Sequence, residues 1–129
     1  MSRTQRFRKE SRLRKRRQFL FIQDRGLKVH SDLLLALALD NRGGETRLGL
    51  TVSSKVGNAV ARNRVRRHLR EWFRKEQAQW PTGLDVVVIA KVPAATATSV
   101  ALGASMAKLG HELKKRRAAV PLKAESPRG

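Results

Sequence analysis

Apolar positions along the chain change their period several times, and each change predicts an element. Over residues 12–25, Leu13, Leu20 and Phe21 can share one helical face while Phe19 and Ile22 recur three apart, which predicts a short helix stopped by Asp24, Arg25 and Gly26. Gly26 is expected in the left-handed conformation that closes a helix without a Cβ penalty. A short extended piece follows at 28–31. The apolar run 33–39, bounded by Asp32 and Asp40, is short for a helix. Its neighbour favours strands, because Thr46, Leu48, Leu50 and Val52 alternate with Arg47, Gly49, Thr51 and Ser53. With Asn41, Arg42, Gly43 and Gly44 as a turn, the two segments read as an antiparallel hairpin. The second strand has one apolar face and one of small or hydroxyl side chains, open either to solvent or to a ligand.

The clearest helix opens at Gly57 and Asn58, with Asn58 as the N-cap, and runs to about Gln79. Ala61, Val65, Leu69, Trp72 and Phe73 fall within an arc of about 120°, the stripe that packs on a sheet, while Arg64, Arg66, Arg67, Arg70 and Arg74 lie outside it. Pro81, Thr82 and Gly83 end the region. Residues 84–92, rich in β-branched side chains, predict a strand covered on at least one side and stopped by Pro93. A final helix is expected over 99–117, with Val100, Met106, Leu109 and Leu113 as an uneven stripe interrupted by Gly103 and Gly110. After Val120 the tail has no period and is expected to be mobile.

Charge changes this picture of an ordinary small domain. The 129 residues carry 29 Lys plus Arg against 10 Asp plus Glu, a formal charge of +19. Such an excess repels itself in the compact state and suits a polyanionic partner, nucleic acid ahead of membrane. The charge is blocked: nine basic residues in 3–17, eight in 55–75 and seven in 108–128, around apolar stretches that form the core. There is no cysteine, which removes disulfides, thiolate catalysis and Cys-ligated zinc. His30, His68 and His111 lack metal-ligand spacing, so no metal site is expected. The charged N-terminus is followed by four largely apolar residues, 19–22, too few for a signal peptide, and no run approaches the ~18 apolar residues of a membrane helix. A cytoplasmic, non-membrane protein is expected.

The candidate chemistry lies in KVGNAVARNRVRRHLR, residues 55–70, where Arg62, Arg64, Arg66, Arg67 and Arg70 crowd one helix. Arginine is planar, permanently charged and able to grip two phosphate oxygens or stack on a base. Like charges three and four apart also destabilise an isolated helix, which favours a bound polyanion over a merely solvated face. Asn63 could meet a base edge, a phosphate or a neighbouring side chain.

This segment closely resembles the signature of the bacterial ribonuclease P protein subunit. The likeness runs through Val56, GNAV at 57–60, the RNR triplet Arg62, Asn63 and Arg64 inside RNRVRR at 62–67, then Leu69 and Arg70. RLGLTVS at 47–53, DVVVIAKVPA at 85–94 and a basic helix carrying Phe19 extend it over about residues 12–117. The resemblance implies an α+β fold: a two-layer α/β sandwich of about four strands and three helices, ordered αβββαβα. It is ribosomal-protein-like and has a left-handed crossover around the central helix, where general topology rules alone favour a right-handed one. A basic flexible N-terminus at 1–11, one RNA-binding domain at 12–117 and a flexible tail at 118–129 follow.

The resemblance also implies a cofactor of a ribozyme. An RNA subunit would carry the chemistry with Mg2+ held mainly by RNA, and the protein, bound one to one, would help remove the 5′ leader of precursor tRNA. Arg62, Asn63, Arg64, Arg66, Arg67 and Arg70 are then expected on the catalytic RNA, with no catalytic side chain in the protein. A leader cleft between the first helix and the sheet is expected to use Phe19, Arg12, Arg16, Ser53, Lys55 and Lys91. Many relatives carry a second aromatic where this chain has Gln23, another where it has Leu37, and Lys where it has Ser54. The leader would then be held more by phosphate contacts and less by stacking.

Rival readings fare worse. A self-sufficient nuclease needs paired carboxylates or a general base, and no DxD, ExE or HxE occurs. A ribosomal RNA-binding protein fits size and charge but not the contiguous RNR signature. A helix-turn-helix DNA reader would not place its long helix between strands.

Overall fold

The structure, a computed structural model, describes residues 16–123. In chain order it comprises α1 (Arg16–Arg25), β1 (Leu27–His30), β2 (Leu34–Asp40), β3 (Arg47–Thr51), α2 (Ala59–Glu76), β4 (Leu84–Ala90) and α3 (Ser99–Lys115). This is the α+β order expected from the sequence. Residues 1–11, the start of the expected first helix at 12–15, and 124–129 lie outside the described residues.

The four strands lie in the order β1-β2-β4-β3. The expected hairpin of β2 and β3 does not form, because β4 lies between them, antiparallel to β2 and parallel to β3. The reason is hydrophobicity. Residues 84–88 and Ala90 are all buried, so the chain's most apolar strand takes an inner position and registers along all of β2 from Leu34↔Ala90 to Asp40↔Leu84. β3, with Arg47, Gly49 and Thr51 on one face, goes to the edge. The true hairpin is β1–β2, whose turn is closed by Ser31 N–H donating to the Leu34 carbonyl at 2.8 Å. The 41–44 turn still forms: Arg42 and Gly43 have φ of 70° and 92°, Arg42 N–H donates to Asp40 Oδ1, and Gly44 N–H to Asn41 Oδ1.

Alternation divides the sheet into two faces. On one, Leu34, Ala36, Ala38, Leu48, Val86 and Val88 meet Val65, Leu69 and Phe73 of α2 and Leu102, Met106, Leu109 and Leu113 of α3. On the other, α1 covers β2 and β4, with Ile22 buried against Leu37, Leu39 and Val87 and with Phe19 and Phe21 at its flanks. Of the two apolar patterns in α1, the one carrying Phe19 and Ile22 meets the sheet, and Leu20 is 50% exposed. Gly26 is not left-handed either. It permits close approach: a Cβ there would lie 2.7 Å from the Ile22 carbonyl and 3.0 Å from the Ala38 nitrogen.

In α3 the expected stripe shifts. Val100 is 80% exposed in the first turn after the Thr98 N-cap, and Leu102 takes the core position. Gly103 and Gly110 face the tryptophans. Trp80 packs edge-on to Phe73 at 5.4 Å and donates its Nε1–H to the Met106 carbonyl at 2.9 Å. A Cβ on Gly110 would sit 2.3 Å from Trp80 Cδ1 and 3.1 Å from the Gln79 carbonyl. Gly110→Ala is therefore expected to destabilise the protein by about 1–3 kcal/mol, overpacking outweighing the ~1 kcal/mol that alanine gains in a helix. Urea unfolding checks this, and a stabilised variant would contradict the packing.

The chain after α3 does not leave at Val120. Val120 is buried, the Pro121 carbonyl accepts from Asp40 N–H at 2.8 Å, and Leu122 makes a parallel bridge with Asp40. Arg117 pairs with Asp40 at 3.1 Å. Beneath this segment Asp85 is fully buried, accepting from Arg47 Nε and Nη2 at 2.8 and 2.6 Å, from Asn41 Nδ2 at 3.0 Å, and from Lys123 Nζ. Burial alone would raise the Asp85 pKa, but the bonds from Arg47, Lys123 and Asn41 outweigh it and leave the carboxyl below its ordinary range.

Candidate nucleic-acid interface

Helix α2 starts where the sequence expects, with Asn58 Oδ1 accepting from Ala61 N–H at 2.9 Å. Val65, Leu69 and Phe73 turn to the core, and the opposite side is mostly polar, with Val60 exposed in its first turn. At about 100° per residue, Asn63, Arg67, Arg70 and Arg74 share an outer arc of about 60°. Asn63, Arg67 and Arg70 are exposed there, and Arg74 is tied to Glu71 at 2.7 Å.

The other arginines of the motif stand on the flanks, half-buried, and bond the backbone of neighbouring segments. Arg62 Nε donates to the Gly57 carbonyl at 3.1 Å. Arg66 donates to the Val52 carbonyl at 3.3 Å and to Asn63 Oδ1 at 3.0 Å. Arg64 Nη2 donates to the Ala97 carbonyl, while its Nη1 is buried with no hydrogen-bond partner among the described residues. The positive field is felt by His68, whose pKa is lowered first by partial burial and then by Arg64 and Arg67.

The second feature lies on the opposite face of the sheet. α1 packs over β2 and β4, and a groove opens between it and the end of β3. Arg16, Phe19, Leu20, Gln23 and Thr51 line a volume of about 340 Å³. Phe19 is half-buried, one side against the Ile22 cluster and the other on the groove.

Of the residues expected in a leader cleft, Arg16 and Phe19 are brought together. Ser53 and Lys55 are exposed on the loop after β3, and neither lines the groove. Lys91 is held elsewhere, donating through Nζ to the Ser31 carbonyl at 2.8 Å. Arg12 lies outside the described residues. Leu37 is buried under α1 and does not reach the groove. Gln23 and Thr51 do line it: Thr51 was signalled by the small polar face of β3, and Gln23 only by comparison with the aromatic of relatives. Among the described residues no three His, Cys, Asp or Glu side chains come together as a metal site, and no helix is long and apolar enough to cross a membrane.

Fold and site together define a small, strongly basic α+β protein in which an arginine-faced helix connects two parallel strands and a groove opens beside the first helix. The family model for ribonuclease P matches residues 7–114. The ribonuclease P protein component of Desulfosudis oleivorans is 45% identical over 106 residues, which are 82% of this chain and 88% of that one. The RNase P protein of Thermotoga maritima superimposes with a TM-score of 0.73 at 30% identity, covering 78% of this chain and 96% of that one. That of Staphylococcus aureus gives 0.72 at 30% identity, covering 81% and 95%. The chain belongs to the ribonuclease P protein family, and with it to an RNA-processing enzyme that includes an RNA subunit.

Proposed function

We propose that the outer face of α2 binds the catalytic RNA of ribonuclease P and that the groove between α1 and β3 takes the single-stranded 5′ leader of precursor tRNA. The observation that carries the reading is the exposed arc of Asn63, Arg67 and Arg70 on a chain of charge +19, set on the opposite side of the sheet from the groove. Arginine forks suit RNA phosphates. In the groove, the exposed side of the Phe19 ring offers a base a stacking surface, Arg16 offers a phosphate its charge, and Gln23 and Thr51 offer hydrogen bonds. This division favours the substrate that still carries its leader over the mature product.

Cleavage itself belongs to the RNA in this reading, with one protein per RNA. In the same reading Mg2+ is ligated mainly by RNA and substrate phosphates. The protein acts by neutralising phosphates and adding leader contacts, which raises precursor affinity and lowers the Mg2+ needed.

The test compares holoenzyme affinity for a precursor with its leader and for mature tRNA. The wild type should prefer the precursor, and Phe19→Ala should lose about 1–3 kcal/mol of that preference, the worth of one stacked base. Equal wild-type affinity for the two RNAs would remove the leader from the groove.

A further inference from the structure

The five arginines of 62–70 are not equivalent, and their burial separates them. Arg62, Arg64 and Arg66 are half-buried, whereas Arg67 and Arg70 are exposed. The first three reach sideways from α2 onto main-chain carbonyls: Arg62 onto Gly57, Arg66 onto Val52 and Arg64 onto Ala97. Those carbonyls belong to two connecting segments outside the sheet, the 52–58 loop that enters α2 and the 92–98 segment that enters α3 after a 3-10 turn over Val92–Thr96. With no sheet ladder there, the guanidinium groups give these three peptide carbonyls side-chain donors. Arg66 also fixes the Asn63 side chain on the outer arc.

We propose that Arg62, Arg64 and Arg66 are positioning residues, fastening the loops on either side of α2, and that Arg67 and Arg70 are the motif's RNA-facing charges. The inference rests on the reading of α2 as the RNA face and divides its labour. It has a consequence for the substrate side. Arg62 and Arg66 hold the loop carrying Ser53 and Lys55, which follows directly from β3 and its groove residue Thr51, so the motif couples the RNA-facing helix to one wall of the leader groove.

The test uses the full chain and the reconstituted holoenzyme, with three readouts. Amide hydrogen exchange should rise about tenfold in 92–98 for Arg64→Ala and in 52–58 for Arg66→Ala, and stay at wild-type values in both segments for Arg67→Ala. The slope of log affinity for ribonuclease P RNA against log salt should fall by about 0.7–0.9 for Arg67→Ala, and by less than half of that for Arg64→Ala and Arg66→Ala. At saturating protein, Arg66→Ala should raise the KM for precursor about three- to tenfold with kcat unchanged. Arg64→Lys keeps the charge and one donor for Ala97, so exchange in 92–98 should lie between wild type and Arg64→Ala. That variant also decides the matter if Arg64→Ala does not fold, since wild-type exchange in Arg64→Lys would overturn the fastening role. Wild-type exchange in Arg64→Ala and Arg66→Ala, with slopes falling as far as in Arg67→Ala, would overturn the division. An unchanged affinity and slope in Arg67→Ala would instead overturn the RNA-face reading, whatever the exchange data show.

Discussion

Replacing Arg67 and Arg70 together by alanine is expected to weaken binding to ribonuclease P RNA about 100-fold at low salt and to leave the fold intact. Each guanidinium on a phosphate is worth about 1.5 kcal/mol as a charge-assisted hydrogen bond, so the pair accounts for about 3 kcal/mol. The double variant should also lower the salt slope by about 1.5, because fewer condensed counterions are released on binding. Both side chains are exposed and point away from the Val65, Leu69 and Phe73 stripe, so the double variant should lose no more than about 1 kcal/mol of stability, the worth of exposed contacts. Relieving repulsion between arginines three apart could only help an isolated helix. Filter binding across a salt series checks this. A parallel loss of stability and affinity, with the slope unchanged, would show the arginines to be part of the scaffold.

The largest stability effect should come from Asp85. Asp85→Ala removes a fully buried carboxylate and leaves Arg47 and Lys123, with side chains 29% and 14% exposed, without their shared counter-charge. Breaking one side of such a buried pair costs about 3–5 kcal/mol, a large part of the ~5–15 kcal/mol that holds a domain together. The pH dependence has a definite sign. The folded-state pKa of Asp85 is depressed, so its contribution is complete above the unfolded value of about 3.9 and is lost as pH falls through the folded pKa. Asp40, lowered by the Arg42 backbone N–H and then by Arg117, acts in the same direction and holds the same segment. Wild type should therefore show an acid unfolding limb below about pH 4 that is shallower in Asp85→Ala. Urea midpoints between pH 2.5 and 7 test this, and a variant within about 1 kcal/mol of wild type at pH 7 would contradict the role assigned to Asp85.

The elements were readable from period alone because each carries its own signal: the Asn58 cap, the alternation of 46–52, the β-branched run of 84–90. Their arrangement was not. Nothing local in 33–52 says that a strand forty residues later will enter between β2 and β3; the greater burial of β4 decides that, and burial is a property of the whole sheet. The arginine motif announced a polyanion partner, yet the separation of clamping from outward arginines depends on which carbonyls end beside the helix. Those are Val52 and Ala97, set by β3 and α3. Gly103 and Gly110 looked like weaknesses in a helix and are seats for Trp72 and Trp80. Asp85 gave no sign of its role, because its partners Asn41, Arg47 and Lys123 come from three distant segments.

The proposal that this protein assists an RNA that does the cutting meets its most direct test in 5′ maturation of a precursor tRNA at low Mg2+ by a bacterial ribonuclease P RNA, with the protein, without it, and with the protein alone. The protein alone should be inert, and the mixture should cleave at the mature 5′ end at Mg2+ concentrations where the RNA alone is slow. No enhancement with the cognate RNA, or cleavage by the protein by itself, would contradict it.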